Sequence, residues 1–145
     1  MAALLSTATY TQNFDTLVNV GSSAVLPTGW VILETGTSGN VNGLYTAGTG
    51  SSNSGDMYSF GSAGAVDRAL GGLRSGTLSP VLGAEFANDT GASITGLSIA
   101  YTGEMWRAGV ANRGAADRLD FQYSTNATSL STGTWTDSDT LDFIA

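Results

Sequence analysis

The sequence predicts an all-β domain, an antiparallel β-sandwich of jelly-roll type, and three observations predict it. No segment sustains the 3.6-residue apolar period of a helix. Short apolar or alternating runs recur instead, separated by the Gly, Asn, Asp, Ser and Pro clusters that mark turns. Charged residues make up only 12% of the chain, about half the roughly 25% usual for soluble proteins, while Gly, Ser, Thr and Ala fill much of it, as in many secreted β proteins. At 145 residues the chain is read as one domain, residues 1–145, long enough to bury a core.

Taken in order, residues 7–14 (TATYTQNF) alternate weakly and are rich in β-formers, which predicts a first strand ending near Phe14 and Asp15. Gly21, Pro27 and Gly29 make residues 18–29 a loop, and Pro27 forces an extended entry into the apolar strand 30–33 (WVIL). Residues 35–55 are almost all Gly, Ser, Thr and Asn around a lone Leu44-Tyr45 pair, a loop-rich stretch. A strand over 56–60 (DMYSF) follows. In residues 68–75 (RALGGLRS), Leu70 and Leu73 fit a helical turn, but Gly71-Gly72 argues for an extended, bulged segment. Residues 81–86 read as a strand and 88–91 (NDTG) as a turn with Gly91 at positive φ, so the alternating strand 93–102 should close a hairpin. Leu119, Phe121 and Tyr123 alternate with polar residues in the cleanest amphipathic strand of the chain. Short strands around Trp135 and over 141–144 (LDFI) end it.

Charge and chemistry exclude several functions. The net charge of −7 repels a nucleic-acid backbone or an anionic lipid surface. With no cysteine and no histidine, zinc sites, thiol nucleophiles and Ser-His catalysis have no ligands or bases to use. Residues 1–5 carry no basic flank and too short an apolar run for a complete signal peptide or a membrane span, so Met1 is read as a processing boundary and no membrane insertion is expected. All five basic residues are Arg, at 68, 74, 107, 113 and 118; they are read as structural partners for Asp67, Glu104 and Asp117.

The densest chemistry lies in residues 104–107, where a carboxylate, an indole and a guanidinium fall within four residues. A glycan site would use an aromatic platform beside polar groups, and Glu104, Trp106 and Arg107, with Tyr123 or Gln122 on an adjoining strand, are the candidates. Against this, Trp106, like Trp30 and Trp135, reads more simply as a core anchor. Glu104 paired with Asp117 or Asp120 would suit glycoside hydrolysis, but Glu104 with Arg107 reads more simply as an ion pair at a bulge, so no enzymatic activity is expected. Asp137 and Asp139 in TDSDT resemble part of a calcium loop without its Gly and distal Glu, and read as an acidic turn. The sequons at Asn88 and Asn126 read as turns.

Several phrases together carry a resemblance. Residues 10–30, with NFD, an irregular loop and LPTGW, resemble the opening of MAM-like and cleaved-adhesin-like jelly rolls, which share a galactose-binding-like β-sandwich. DRLDFQYSTNATSLSTGTWTDSDTLDF, residues 117–143, resembles paired strands of the same group, and residues 70–107 look like a domain of large extracellular bacterial proteins. The resemblance implies a secreted or surface-located bacterial module, consistent with the absence of disulfides. It implies binding or adhesion to glycan or surface polymer; the alternative is a structural subunit of an extracellular filament or layer, pairing with copies of itself by strand exchange. It also implies a structural Ca²⁺ where the acidic end of the first strand meets the Gly-rich loop, which points to Asp15 with Asn53 and Asp56. Such domains continue for a few strands beyond the position of Phe143, so the chain is read as a jelly roll lacking its last strands. A strand over 141–144 covered on both sides by its own chain would refute that reading.

Overall fold

The computed structural model describes residues 1–6, 9–110, 112 and 114–145. Thr7 and Ala8, where the expected first strand begins, and Ala111 and Arg113, one of the five arginines, lie outside the described residues. The chain is all-β, with one 3₁₀ turn, Asp139–Leu141, among the described residues. The chain forms two compact units, Met1–Gly96 and Leu97–Ala145.

The first unit holds β1 (Ala3–Leu4), β2 (Ser22–Ser23), β3 (Trp30–Gly36), β4 (Tyr45–Gly48), β5 (Asp56–Phe60), β6 (Ala69–Leu73), β7 (Leu78–Ala84) and β8 (Phe86–Ala87). β3 and β7 form an antiparallel ribbon from Trp30↔Ala84 to Gly36↔Leu78. The other sheet runs β2-β4-β5-β6, and every residue of its strand β5 is buried. Ile32 of β3 and Leu82 of β7 pack on a core of Leu17, Tyr45 and Met57, joined by Phe14, Val18, Leu26 and Leu70. The two sheets thus share one apolar layer, the arrangement of a sandwich.

Not every pairing is antiparallel, as the sequence reading has it. β4 and β5 are parallel neighbours (Tyr45↔Met57), and β1 pairs parallel with β8 (Ala3↔Phe86). A parallel pair needs a return connection; residues 49–55 make it along the Tyr58 side chain, whose hydroxyl donates to the Ser54 carbonyl at 2.9 Å. β4 begins at Tyr45 of the pair in the loop-rich stretch 35–55. The described part of the expected first strand, residues 9–14, is not strand. Its Trp30 contact is made by side chains: Phe14 meets the indole edge-on with centroids 4.6 Å apart, and Trp30 Nε1 donates to Tyr10 Oη at 2.9 Å.

The expected hairpin between 81–86 and 93–102 does not form. β7 pairs with β3 instead, and residues 93–102 belong to no strand. The turn between them is as expected: Gly91 has φ of 75°, and Asn88 Oδ1 accepts from Thr90 N at 3.1 Å.

The second unit holds β9 (Arg118–Leu119), β10 (Gln122–Tyr123), β11 (Thr136–Asp137) and β12 (Phe143–Ile144). β10 pairs with β11, and β12 with β9. The continuous strand expected over 119–123 is interrupted because Phe121 N donates to the Asp142 side chain, Oδ1 at 2.8 Å, instead of to a ladder. Trp135 is 36% exposed, so it is not the core anchor expected of it.

Candidate functional site

Of the residues expected to meet a glycan, two are brought together. Trp106 is half-buried and donates its indole N–H to Glu104 Oε2 at 2.7 Å, which fixes the ring and uses its one donor. Arg107 is exposed. Tyr123 is exposed on β10 opposite Thr136.

The residues expected to hold calcium are distributed over the first unit. Asp15 Oδ1 accepts from Arg68 N at 3.4 Å, next to Ala69, which pairs with Phe60 at the far end of β5 from Asp56. Four residues of strand separate those positions by about 13 Å, too far for Asp15 and Asp56 to share an ion. Asn53 is exposed in the connection before β5.

Asp56 has a different neighbour, which the sequence reading missed. β3 continues past Leu33, and its period of two places Glu34 on the inward face with Trp30 and Ile32. Glu34 and Asp56 are both buried, at 6% and 7% exposure. They share one donor: Met57 N lies 3.1 Å from Glu34 Oε1 and 2.9 Å from Asp56 Oδ1. Glu34 Oε2 also accepts from Asn42 N at 3.1 Å and Gly43 N at 3.0 Å. Burial, a hydrogen bond from one carboxyl to the other and the Glu34 charge push the Asp56 carboxyl up to about 6.

In the second unit, folding gathers acids that are apart in sequence. One carboxylate oxygen each from Asp120, Asp137 and Asp142 lie within 4.8 Å of one another. Arg118 joins them, with Nη2 2.7 Å from Asp120 and Nη1 3.1 Å from Asp142. The Asp142 side chain is only 1% exposed, and its Oδ2 is the oxygen that Arg118 Nη1 faces. Desolvation, then the charges of Asp120, Asp139 and Asp142, hold the Asp137 carboxyl above its ordinary value. The expected acidic turn at 137–139 is therefore one side of a larger cluster. Its other members were visible in the sequence only as single acids, because β9, β10 and the 3₁₀ turn bring them together.

Beside the cluster lies an open cleft of about 220 Å³ lined by Tyr101, Gly103, Thr140, Leu141, Asp142 and Phe143. Tyr101 stacks on Phe121 with centroids 6.2 Å apart and donates its hydroxyl to the Leu141 carbonyl. Its ring remains 42% exposed. Desolvation and the Asp142 charge raise the pKa of its phenol. A larger cleft, about 410 Å³, lies in the first unit beside Leu26, Pro27, Trp30, Ile32 and Glu85.

No protein-family model matches the chain, and neither a curated protein nor a solved structure matches it.

Proposed function

We propose that the chain is a non-catalytic binding and adhesion module of an extracellular or cell-surface protein, recognising glycan or surface polymer at the cleft of its second unit. The observation that carries this reading is Tyr101, an exposed ring held by a stacked Phe121 and by its own hydroxyl at the mouth of that cleft. Sugars present a C–H face that lies on such a ring and hydroxyls that pair with polar groups beside it, here Thr140 of the cleft lining. A ring already held in place loses little entropy on binding. The Glu104–Trp106 pair, Arg107 and Tyr123 offer further polar and aromatic surface in the same unit. The resemblance to MAM-like and cleaved-adhesin-like jelly rolls supports the extracellular bacterial setting.

A structural Ca²⁺ belongs to the same proposal, at the second unit's acids in place of Asp15, Asn53 and Asp56. Asp120, Asp137 and Asp142 supply hard oxygen donors, with Asp142 Oδ2 facing Arg118 Nη1 at 3.1 Å. Arg118 is the competing cation there. The test is a glycan array followed by calorimetric titration of the best hit, in calcium and in chelator. Tyr101→Ala should weaken binding at least tenfold, and chelation should weaken it in wild type. Unchanged affinity in Tyr101→Ala would remove the cleft as the site.

A second reading, a filament or layer subunit assembled by strand exchange, is favoured by residues 93–102. They lie in no strand, yet Leu97, Ile99 and Tyr101 alternate there at 64%, 45% and 42% exposure. Light scattering with electron microscopy separates the two readings, since ordered polymers belong only to this one.

A further inference from the structure

Glu34 and Asp56 form a buried pair of carboxyls that the proposed recognition cleft does not use. Their acceptor positions are occupied by donors from the connection after β3, from β4 and from β5. Glu34 Oε2 holds Asn42 N and Gly43 N, in the connection between β3 and β4, while Glu34 Oε1 and Asp56 Oδ1 converge on Met57 N at the start of β5. Asp56 Oδ2 accepts from Thr46 Oγ1 at 3.2 Å, and Thr46 in turn meets Ser22 Oγ at 2.9 Å. Three strands and one connection are thus tied to two side chains.

We propose that the Glu34–Asp56 pair is a proton-dependent clasp: with one proton shared between the carboxyls it closes the 37–44 connection onto β4 and β5, and losing that proton loosens it. Two ionised carboxylates that converge on one N–H at this burial repel each other with little solvent to screen them. A shared proton turns the repulsion into a hydrogen bond, the arrangement of paired carboxyls that hold a single proton between them.

Among the described residues no basic group offsets the pair. The one charge acting on the Asp56 carboxyl is that of Glu34, and its other partners are the neutral Thr46 hydroxyl and Met57 N–H. Arg68, buried on the same sheet, directs its guanidinium to Ser59 and to the carbonyls of Gly48 and Ser62. Arg74, just beyond β6, is exposed. Tyr45, beside the pair on β4, donates its hydroxyl to the Val25 carbonyl at 2.9 Å.

The sign follows from linkage. Asp56 titrates near 6 in the folded chain and near 3.8 when unfolded, so between those values the folded state binds the extra proton. The stabilisation is fully present below about pH 4 and is lost as pH rises through 6.

Amide hydrogen exchange at Asn42, Gly43 and Met57, followed by NMR on the full chain at pH 5 and pH 7.5 and corrected for intrinsic rates, tests this directly. In wild type the open population at these three amides should rise by up to about tenfold across that interval. Asp56→Asn, which keeps an oxygen acceptor and cannot ionise, should make it flat. Equal wild-type protection at both pH values, or an Asp56→Asn profile that follows wild type, overturns the proposal. Should Asp56→Asn not fold, the carboxyl ¹³C titration of Asp56 in wild type decides: a midpoint near 6 supports the clasp, and one below about 4.5 removes it.

Discussion

Arg68 is 4% exposed, and its guanidinium is held by oxygen dipoles. Nε donates to Ser59 Oγ at 2.9 Å, Nη1 to the Ser62 carbonyl at 3.1 Å, and Nη2 to the carbonyls of Ser59 and Gly48. A planar fork reaches all of these acceptors at once, which a lysine point charge would not. Replacing it with Met keeps most of the stem volume and leaves the acceptors without donors, so Arg68→Met should cost about 2–4 kcal/mol. Chemical denaturation measures it, and a loss under about 0.5 kcal/mol would mean that solvent replaces the guanidinium freely. The sequence showed that every cation was Arg, and hence that Arg geometry mattered. It pointed to Asp67 as a neighbouring partner, whereas the acceptors come from β4, β5 and the connection after β5, which only folding brings near. Glu34 was legible by a simpler route, since the period of two that buries Trp30 and Ile32 also buries the next residue but one. A carboxylate on the inward face needs its own partners, and those sit on other strands.

Among the elements, β3, β5 and β7 were legible because their apolar density survives any choice of partner. β6 was legible for a subtler reason, as Gly71-Gly72 excluded a helix and allowed a close approach. A Cβ on Gly72 would lie 2.6 Å from Pro80 Cβ and Cγ on β7, so the missing side chain lets β6 lie against its neighbour. Gly72→Ala should therefore destabilise the chain by about 1–3 kcal/mol, even though alanine restricts the unfolded state, and a shift of the denaturation midpoint to lower urea would show it. β4 was not legible, because YTAG inside a Gly- and Ser-rich stretch acquires strand geometry from pairing with β5 rather than from its own propensity. Residues 93–102 show the converse. Their alternation is that of a strand, yet β7, the partner the pattern suggested, is already paired with β3.

Across the whole molecule, protection should follow the two units. The first has a shared apolar layer and strands of up to seven residues, whereas every strand of the second has two. Hydrogen exchange on the intact chain should find the slowest amides in β5 and in the β3–β7 ladder, with residues 93–105 exchanging fastest. Equal protection of β10 and β5 would contradict this. The all-β class was legible because composition and periodicity are properties of the chain alone. The division into units and the acidic cluster were not, since both depend on which distant residues meet.

The pairing of Ala3–Leu4 with Phe86–Ala87 also sets an order of events during synthesis. Ala3 N donates to the Glu85 carbonyl at 2.8 Å and Leu5 N to that of Ala87 at 3.0 Å, so these bonds close a span of about 80 residues. On a translating ribosome Ala3 and Leu4 emerge before their partners, which must still be made and must then clear the exit tunnel. The first strand of this unit waits, unpaired, for the last.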